Sequence, residues 1–227
     1  MILAEIDGKE YLRQINNLIR DKDNIKKLFE EKEERITISN YTSGLYWSLQ
    51  ILVWDSNNLM NVFEIYCKLE KYDKNVVDEM TRIILPWYPQ TQANFTLRKA
   101  VVIMTLNEYP EVGWRLLMKL MPNAERTSSS ICKPRWNKLV EEIEVTNGEL
   151  YKEYNEYVKL AIEYSQKDIS KIKDLINKFH PSTIINNKSL KGREIIAGGS
   201  INIPIDINAL DTTKSINKNG KYIKNPI

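Results

Sequence analysis

The sequence contains few of the residues that break regular structure or build reactive sites, with 8 glycines, 8 prolines, 2 cysteines and 1 histidine among 227 residues. An all-β protein needs a turn about every ten residues, so the shortage of glycine and proline favours long helices. The single histidine, His180, excludes a metal site with two histidine ligands. It precedes Pro181 at the end of a predicted helix, and we interpret it as a capping residue.

The two cysteines, Cys67 and Cys132, fall in an apolar helical segment and a polar loop. They match neither a disulfide framework nor the ligand spacing of a zinc site. We therefore predict two free thiols in a reducing cytoplasm, with no metal and no cofactor. The neighbours Lys133 and Arg135 leave a reactive Cys132 with a lowered pKa as an alternative.

Long apolar runs are also missing from the sequence. None approaches the length of about 18 residues that a membrane span requires. The first residues lack the basic and apolar segments of a signal peptide. We expect a cytoplasmic protein that makes no membrane contact.

The net charge of +3 is distributed unevenly along the chain. Residues 1–180 carry 26 basic and 27 acidic side chains, a balance of −1, whereas residues 181–227 carry 7 and 3, a balance of +4. Nucleic-acid-binding proteins usually concentrate basic residues on one face, so the nearly neutral body gives no reason to expect such a surface. A weak nucleic-acid contact through the basic tail stays open as an alternative.

Apolar residues recur at spacings of three and four through most of the first 180 residues, which is the period of amphipathic helices. Ser39 or Asn40 is a candidate cap for one helix and Thr91 for another, and Pro110 suits a first turn. The pattern predicts eight helical segments, the first of which is broken near 21–23: 9–34, 39–54, Leu59–Leu69, Val76–Ile84, 92–109, 111–121, 150–164 and 168–179. A further helical signal lies at 139–143, and a turn is predicted at 146–148.

Short polar breaks between these segments are typical of antiparallel helical hairpins that stack side by side, as in α-solenoids. We predict an all-α fold with a helical-repeat domain over 1–180. Residues 181–227 are rich in Asn, Lys and Ile and show no helical period, so we predict a poorly structured basic tail with a short strand near 201–207.

A rigid connector of aromatic residues and prolines, LPWYPQT at residues 85–91, precedes the motifs PEVGWRLL at 110–117 and LMP at 120–122. Together these motifs resemble a helical-repeat region of large bacterial multidomain proteins of the defence, STAND-like type. The resemblance covers about residues 40–180. It implies a scaffold or sensor part of a larger assembly and supplies no catalytic residue.

Aromatic residues in the connectors are the best candidates for a binding surface. Most of the five tryptophans recur at helical spacing, so we expect most of them in the core. Loops on one edge of a solenoid often carry its binding surface, although rings in connectors also wedge adjacent hairpins apart. The candidate binding residues in the connectors are Trp87, Tyr88, Arg135 and Trp136.

We favour a non-catalytic protein-interaction module over an enzyme, because no reactive constellation is assembled in the sequence. The acidic run Glu141, Glu142 and Glu144 is interpreted as a solvated helix face, and Gly198-Gly199-Ser200 lacks the lysine and helix of a phosphate-binding loop. The alternative from another class is a metal-dependent hydrolase or nuclease whose carboxylates come from separate helices.

Overall fold

The computed structural model describes residues 2–29, 32–34, 37–39, 42–123, 126–135, 140, 143–166, 168–179, 215–216 and 222–223. Within these ranges the chain is predominantly helical, which confirms the all-α prediction. The chain divides into two compact units, Met1–Lys191 and Gly192–Ile227. The strand predicted near 201–207 and the helix-end role of His180 fall on residues outside the described ranges.

Ten helices occupy the described part of the first unit, and none of them combines the length and apolarity needed to cross a membrane. A single 3-10 turn, Ser56–Asn58, precedes the fifth helix. The helices are α1 (Ile2–Ile6), α2 (Gly8–Leu18), α3 (Lys22–Phe29), α4 (Thr42–Leu52), α5 (Leu59–Leu69), α6 (Val76–Ile84), α7 (Phe95–Glu108), α8 (Pro110–Leu120), α9 (Asn147–Ser165) and α10 (Ile169–Phe179).

The described strands are short and lie outside the helical core. β1 (Lys32–Glu34) and β2 (Thr37–Ser39) form an antiparallel hairpin in which Lys32 lies opposite Ser39. β3 (Tyr88–Pro89) bridges back onto the end of α6. In the second unit, β4 (Ser215–Ile216) pairs with β5 (Tyr222–Ile223) in antiparallel fashion.

The core is centred on α5, which packs against α6 and α7. Six of its side chains have no exposed surface, and each fully buried side chain of this kind contributes about 1.5–3 kcal/mol through burial. These side chains are Leu59, Val62, Phe63, Ile65, Tyr66 and Leu69. The stack continues outward from α8 to α9 and from α9 to α10.

The glycine of the PEVGWRLL motif allows α7 and α8 to approach each other closely. The two helices are joined through Tyr109 alone, whose N–H donates to the carbonyl of Thr105 at 2.9 Å. Pro110 begins α8, as predicted. A Cβ atom on Gly113 would lie only 2.5 Å from the backbone nitrogen of Leu106, so no larger residue fits there without moving a helix.

Two predicted caps are wrong. Ser39 ends β2, and α4 begins at Thr42, whereas the alternative cap, Asn40, lies outside the described residues. Thr91 does not cap α7, because its hydroxyl bonds elsewhere. The cap is Asn94, whose Oδ1 accepts from the N–H of Leu97 at 3.0 Å.

The start of α9 also differs from the prediction. Residues 146–148, predicted as a turn between helices, form its cap and first turn, because Thr146 and Glu149 make a reciprocal capping box. The helical signal at 139–143 is wrong at Val140 and Ile143, which are irregular, and its remaining residues lie outside the described ranges. The predicted extension of the first helices to residue 34 is wrong as well, because residues 32–34 form β1.

Candidate functional site

The connector at residues 85–91 is a tight reverse turn at the end of α6. Leu85 pairs with Tyr88 and Ile84 with Pro89, so the chain reverses around Pro86 and Trp87. The next backbone N–H, that of Gln90, donates to the carbonyl of Ile83 at 2.8 Å. The fixed backbone geometry of the two prolines suits this reversal.

The side chain of Gln90 holds the loop formed by residues 126–135, which we call the anchored loop. Its Nε2 donates to the carbonyls of Arg82 and Ser129, both at 3.1 Å, and its Oε1 accepts from the N–H of Ile131 at 2.8 Å. Gln90 is only 1% exposed, and its bond to the buried Ile131 is shielded from water, whereas Arg82 is half-buried and Ser129 is exposed. One neutral amide therefore satisfies three backbone groups.

The amide of Gln50 on α4 and the indole of Trp54, just after α4, also bind the anchored loop. Gln50 Oε1 accepts from the N–H of Cys132 at 3.0 Å, and Trp54 Nε1 donates to the carbonyl of Cys132 at 2.9 Å. The ammonium group of Lys133 lies 5.4 Å from the centroid of the Trp54 ring. The nitrogen of the Gln50 amide donates to Glu79 Oε2 at 2.7 Å. The anchored loop is thus bonded to the connector through Gln90 and to the end of α4 through Gln50 and Trp54.

Thr91 ties the connector to the end of α4. Its Oγ1 donates to the carbonyl of Val53 at 2.5 Å and accepts from the N–H of Ala93 at 3.2 Å. The N–H of Gln92 donates to the carbonyl of Trp54 at 3.2 Å. These bonds explain why Thr91 is unavailable as a helix cap.

A groove with a volume of about 540 Å³ opens between the connector, α6, the end of α8 and the anchored loop. We call its buried lining residues the floor; most of them are apolar, namely Leu85, Pro86, Leu120 and Met121, and they adjoin the polar Thr81. Its rim is polar and charged. The rim residues include Asp78, Arg82, Lys119, Thr127, Ser128 and Ser129.

The structure brings two of the four predicted binding residues to this place. Trp87 is half-buried, lines the groove and stacks on Tyr88 with ring centroids 5.9 Å apart. Tyr88 Oη lies 3.3 Å from Ser130 Oγ, so this residue contacts the anchored loop. Arg135 ends the described part of that loop, and its backbone N–H donates to Glu5 Oε2 at 2.9 Å. Trp136 lies outside the described residues.

The tryptophans divide between core and surface less simply than predicted. Trp54 and Trp114 are buried, at 2% and 5% exposed. Trp47 is 47% exposed, because it projects from the outer side of α4. Trp47 is therefore an exception to the expectation that most tryptophans lie in the core. Sequence reasoning also missed Gln50 and Gln90, although Gln90 lies within the connector motif.

The two cysteines are free, as predicted. Burial raises the pKa of Cys132, and the carboxylate of Glu79 raises it further, while Arg135 and Arg82 oppose the rise. The alternative of a reactive Cys132 with a lowered pKa is therefore wrong. Burial also raises the pKa of Cys67 to about 12. Both thiols stay protonated at neutral pH, and protonated thiols are weak nucleophiles.

A buried ion pair lies between α7 and α9. Arg98 pairs with Glu153, with side chains only 3% and 6% exposed, and Arg98 also donates to the carbonyl of Ala93 at 2.8 Å. Burial raises the pKa of Glu153 to about 7, although the guanidinium of Arg98 opposes the rise. Burial raises the pKa of Tyr157 as well, and the neighbouring Glu153 adds to it. Glu153 is not among the described residues that line the groove.

Among the described residues, no group of three His, Cys, Asp or Glu side chains is placed to hold a metal ion. Glu144 is exposed, and Glu141 and Glu142 lie outside the described ranges. No protein-family model, curated protein or solved structure matches this chain.

Proposed function

We propose that this chain is a non-catalytic protein-interaction module that serves as the scaffold or sensor part of a larger bacterial defence-type assembly. The observation that carries the proposal is the anchored loop. The connector binds this loop through Gln90, and α4 with the residues after it binds the loop through Gln50 and Trp54. The loop and the connector therefore form one edge with a defined shape. A binding edge that is already ordered loses less conformational entropy when a partner binds.

The chemistry of this edge also supports binding rather than catalysis. Trp87, Tyr88 and Arg82 belong to the residue types that contribute most to protein interfaces. The nearby thiol of Cys132 has a raised pKa, opposite to the lowered pKa of an activated nucleophile. The motifs at 85–91, 110–117 and 120–122 further resemble the non-catalytic part of the bacterial proteins described above.

Affinity purification of the tagged chain from its source organism tests this proposal. We expect a stable protein partner that co-elutes in size-exclusion chromatography at a fixed stoichiometry. A double variant, Gln50→Ala with Gln90→Ala, releases the anchored loop and should weaken that co-elution. The matched control is Gln14→Ala, because Gln14 is an exposed amide that bonds only locally, to Glu10.

Two results together would refute the proposal. The first is a monomer that purifies without any stable partner. The second is a catalytic turnover that disappears when a single polar residue is substituted.

A further inference from the structure

The groove beside Trp87 combines an apolar floor with a charged rim. Leu120 and Met121 are 1% and 2% exposed, so they form a closed base, whereas the half-buried Trp87 presents part of its ring to the opening. Tyr154 from α9 closes the base and is 6% exposed. A pocket of this kind accepts an apolar side chain, and its rim selects the charge of the segment that carries it.

Basic side chains outnumber acidic ones around this groove. Two of them line it directly: Arg82, which pairs with Glu79, and Lys119, which pairs with Asp78 at 2.6 Å. Two more stand next to lining residues. The described charged residues at or next to the groove are thus four basic, Arg82, Lys119, Arg126 and Lys178, and three acidic, Asp78, Glu79 and Glu153, the last of which is paired with Arg98.

The two additional cations are not neutralised within the described residues. Burial lowers the pKa of Lys178, and repulsion from the neighbouring Lys119 lowers it further. Arg126 lies close enough to Tyr154 to oppose the rise in pKa that burial causes in that phenol. Neither Lys178 nor Arg126 makes an ion pair with another described residue. An anionic group at the rim would relieve the repulsion between Lys119 and Lys178.

We propose that the groove binds an acidic segment of a partner protein, with carboxylates at the basic rim and one apolar side chain against Trp87. This inference rests on the proposed function and names the chemistry of the partner. An acidic peptide fits better than a nucleic acid for two reasons. The floor is apolar, and the body outside the tail is nearly neutral, at 26 basic against 27 acidic side chains.

Selection from random dodecapeptides displayed on phage, with the full chain as bait, tests the proposal without assuming a partner. We expect enrichment of peptides that contain several Asp or Glu residues and one large apolar residue. The affinity of an enriched peptide, labelled with fluorescein, is then measured by fluorescence polarisation for the chain and its variants. Its binding should weaken as salt is raised, because the rim charges are exposed.

Trp87→Ala should weaken the binding of the peptide about thirtyfold, as expected for an aromatic anchor of an interface. The double variant Lys119→Gln with Lys178→Gln should weaken it about tenfold and flatten its salt dependence. The matched controls are Trp47→Ala and Lys159→Gln, which alter an exposed tryptophan and an exposed lysine elsewhere and should leave binding unchanged. Thermal unfolding shows whether each variant is folded, and the lysine variants leave Trp87 in place.

Three results would overturn the inference. The selection enriches no acidic peptides, the enriched peptides bind the groove variants and the chain equally well, or oligothymidylate displaces them with comparable affinity. The proposed function is tested separately, because a partner that co-purifies with the chain and tolerates all groove variants preserves the interaction function and places its surface elsewhere.

Discussion

The anchored loop and the α7–α9 interface both place polar side chains inside the molecule, but with opposite chemistry. The loop is held by the neutral amides of Gln50 and Gln90, which meet backbone groups. The interface is held by the ion pair of Arg98 and Glu153, in which Arg98 Nε and Glu153 Oε2 lack a hydrogen-bond partner among the described residues. A buried charge is costly to desolvate, whereas a satisfied amide is not.

This contrast separates the two regions by function as well. The neutral contacts hold a surface edge whose shape matters for binding, and the bonds of Gln90 involve no titrating group. The ion pair of Arg98 and Glu153 lies in the interior. Protonation of Glu153 there changes the free energy of unfolding and not the shape of the binding edge. Four measurements test the comparison, in order of decreasing expected effect.

The largest effect is expected from Arg98→Leu, which leaves the carboxylate of Glu153 buried without its partner. Loss of one member of a buried ion pair typically costs about 3–5 kcal/mol in the free energy of unfolding. Urea unfolding at alkaline pH measures the loss. The double variant Arg98→Leu with Glu153→Leu should recover most of it, because two apolar side chains need no partner. A single variant as stable as the parent would show that the pair contributes nothing.

The pH dependence of stability should identify Glu153. Its pKa rises from the ordinary value of 4.5 to about 7 in the folded chain. A raised pKa means that its contribution to stability is complete below the unfolded pKa and is lost as pH rises through about 7. We expect the free energy of unfolding to fall by about 3 kcal/mol across this window, because the pKa rises from 4.5 to about 7 and each pKa unit corresponds to about 1.4 kcal/mol.

Glu153→Gln is the control for that experiment, because it removes the titrating group and should abolish the fall. Hydrogen bonds from Arg13 and Gln14 lower the pKa of the exposed Glu10 to about 2, and those from Lys99 and Lys159 lower the pKa of the half-buried Glu156 to about 2. Both carboxyls therefore titrate at acidic pH, outside this window. A fall of equal size in the glutamine variant would assign the titration to another group.

The next effect is expected from Gln90→Leu, which keeps the volume but removes three hydrogen bonds. The buried N–H of Ile131 then lacks its partner, which costs about 1–3 kcal/mol. The carbonyls of the half-buried Arg82 and the exposed Ser129 can bond to water instead. We expect a loss of about 2 kcal/mol and faster hydrogen exchange at the Ile131 amide. Gln14→Ala should change stability by only a few tenths of a kcal/mol.

The smallest effect is expected from Thr91→Val, which is nearly isosteric and removes only the hydroxyl. The carbonyl of Val53 and the N–H of Ala93 lose one bond each, which should cost about 1 kcal/mol. Thr96→Val changes an exposed threonine on α7 and is the matched control. Equal stabilities of the two variants in urea unfolding would contradict a role for Thr91 in fastening the connector.

Part of the candidate site is predictable from the sequence. The connector motif at 85–91 pointed to Trp87 and Tyr88, and both contribute to the groove or to its neighbouring loop. The amides of Gln50 and Gln90 were not predictable, because an isolated glutamine carries no signal about the backbone groups it will meet. Their partners lie 82 and 41 positions away in the chain, at Cys132 and Ile131.

Local signals along the chain were enough to predict the helical class, most helix positions and the first turn at Pro110. These depend on apolar periodicity and on local backbone preferences that act within a few residues. Only the tertiary structure decided that Thr91 bonds Val53 instead of capping a helix, that residues 32–39 contain a hairpin and that Trp47 is exposed. The physical reason is that a polar or aromatic side chain has several partners of similar energy, and packing selects among them.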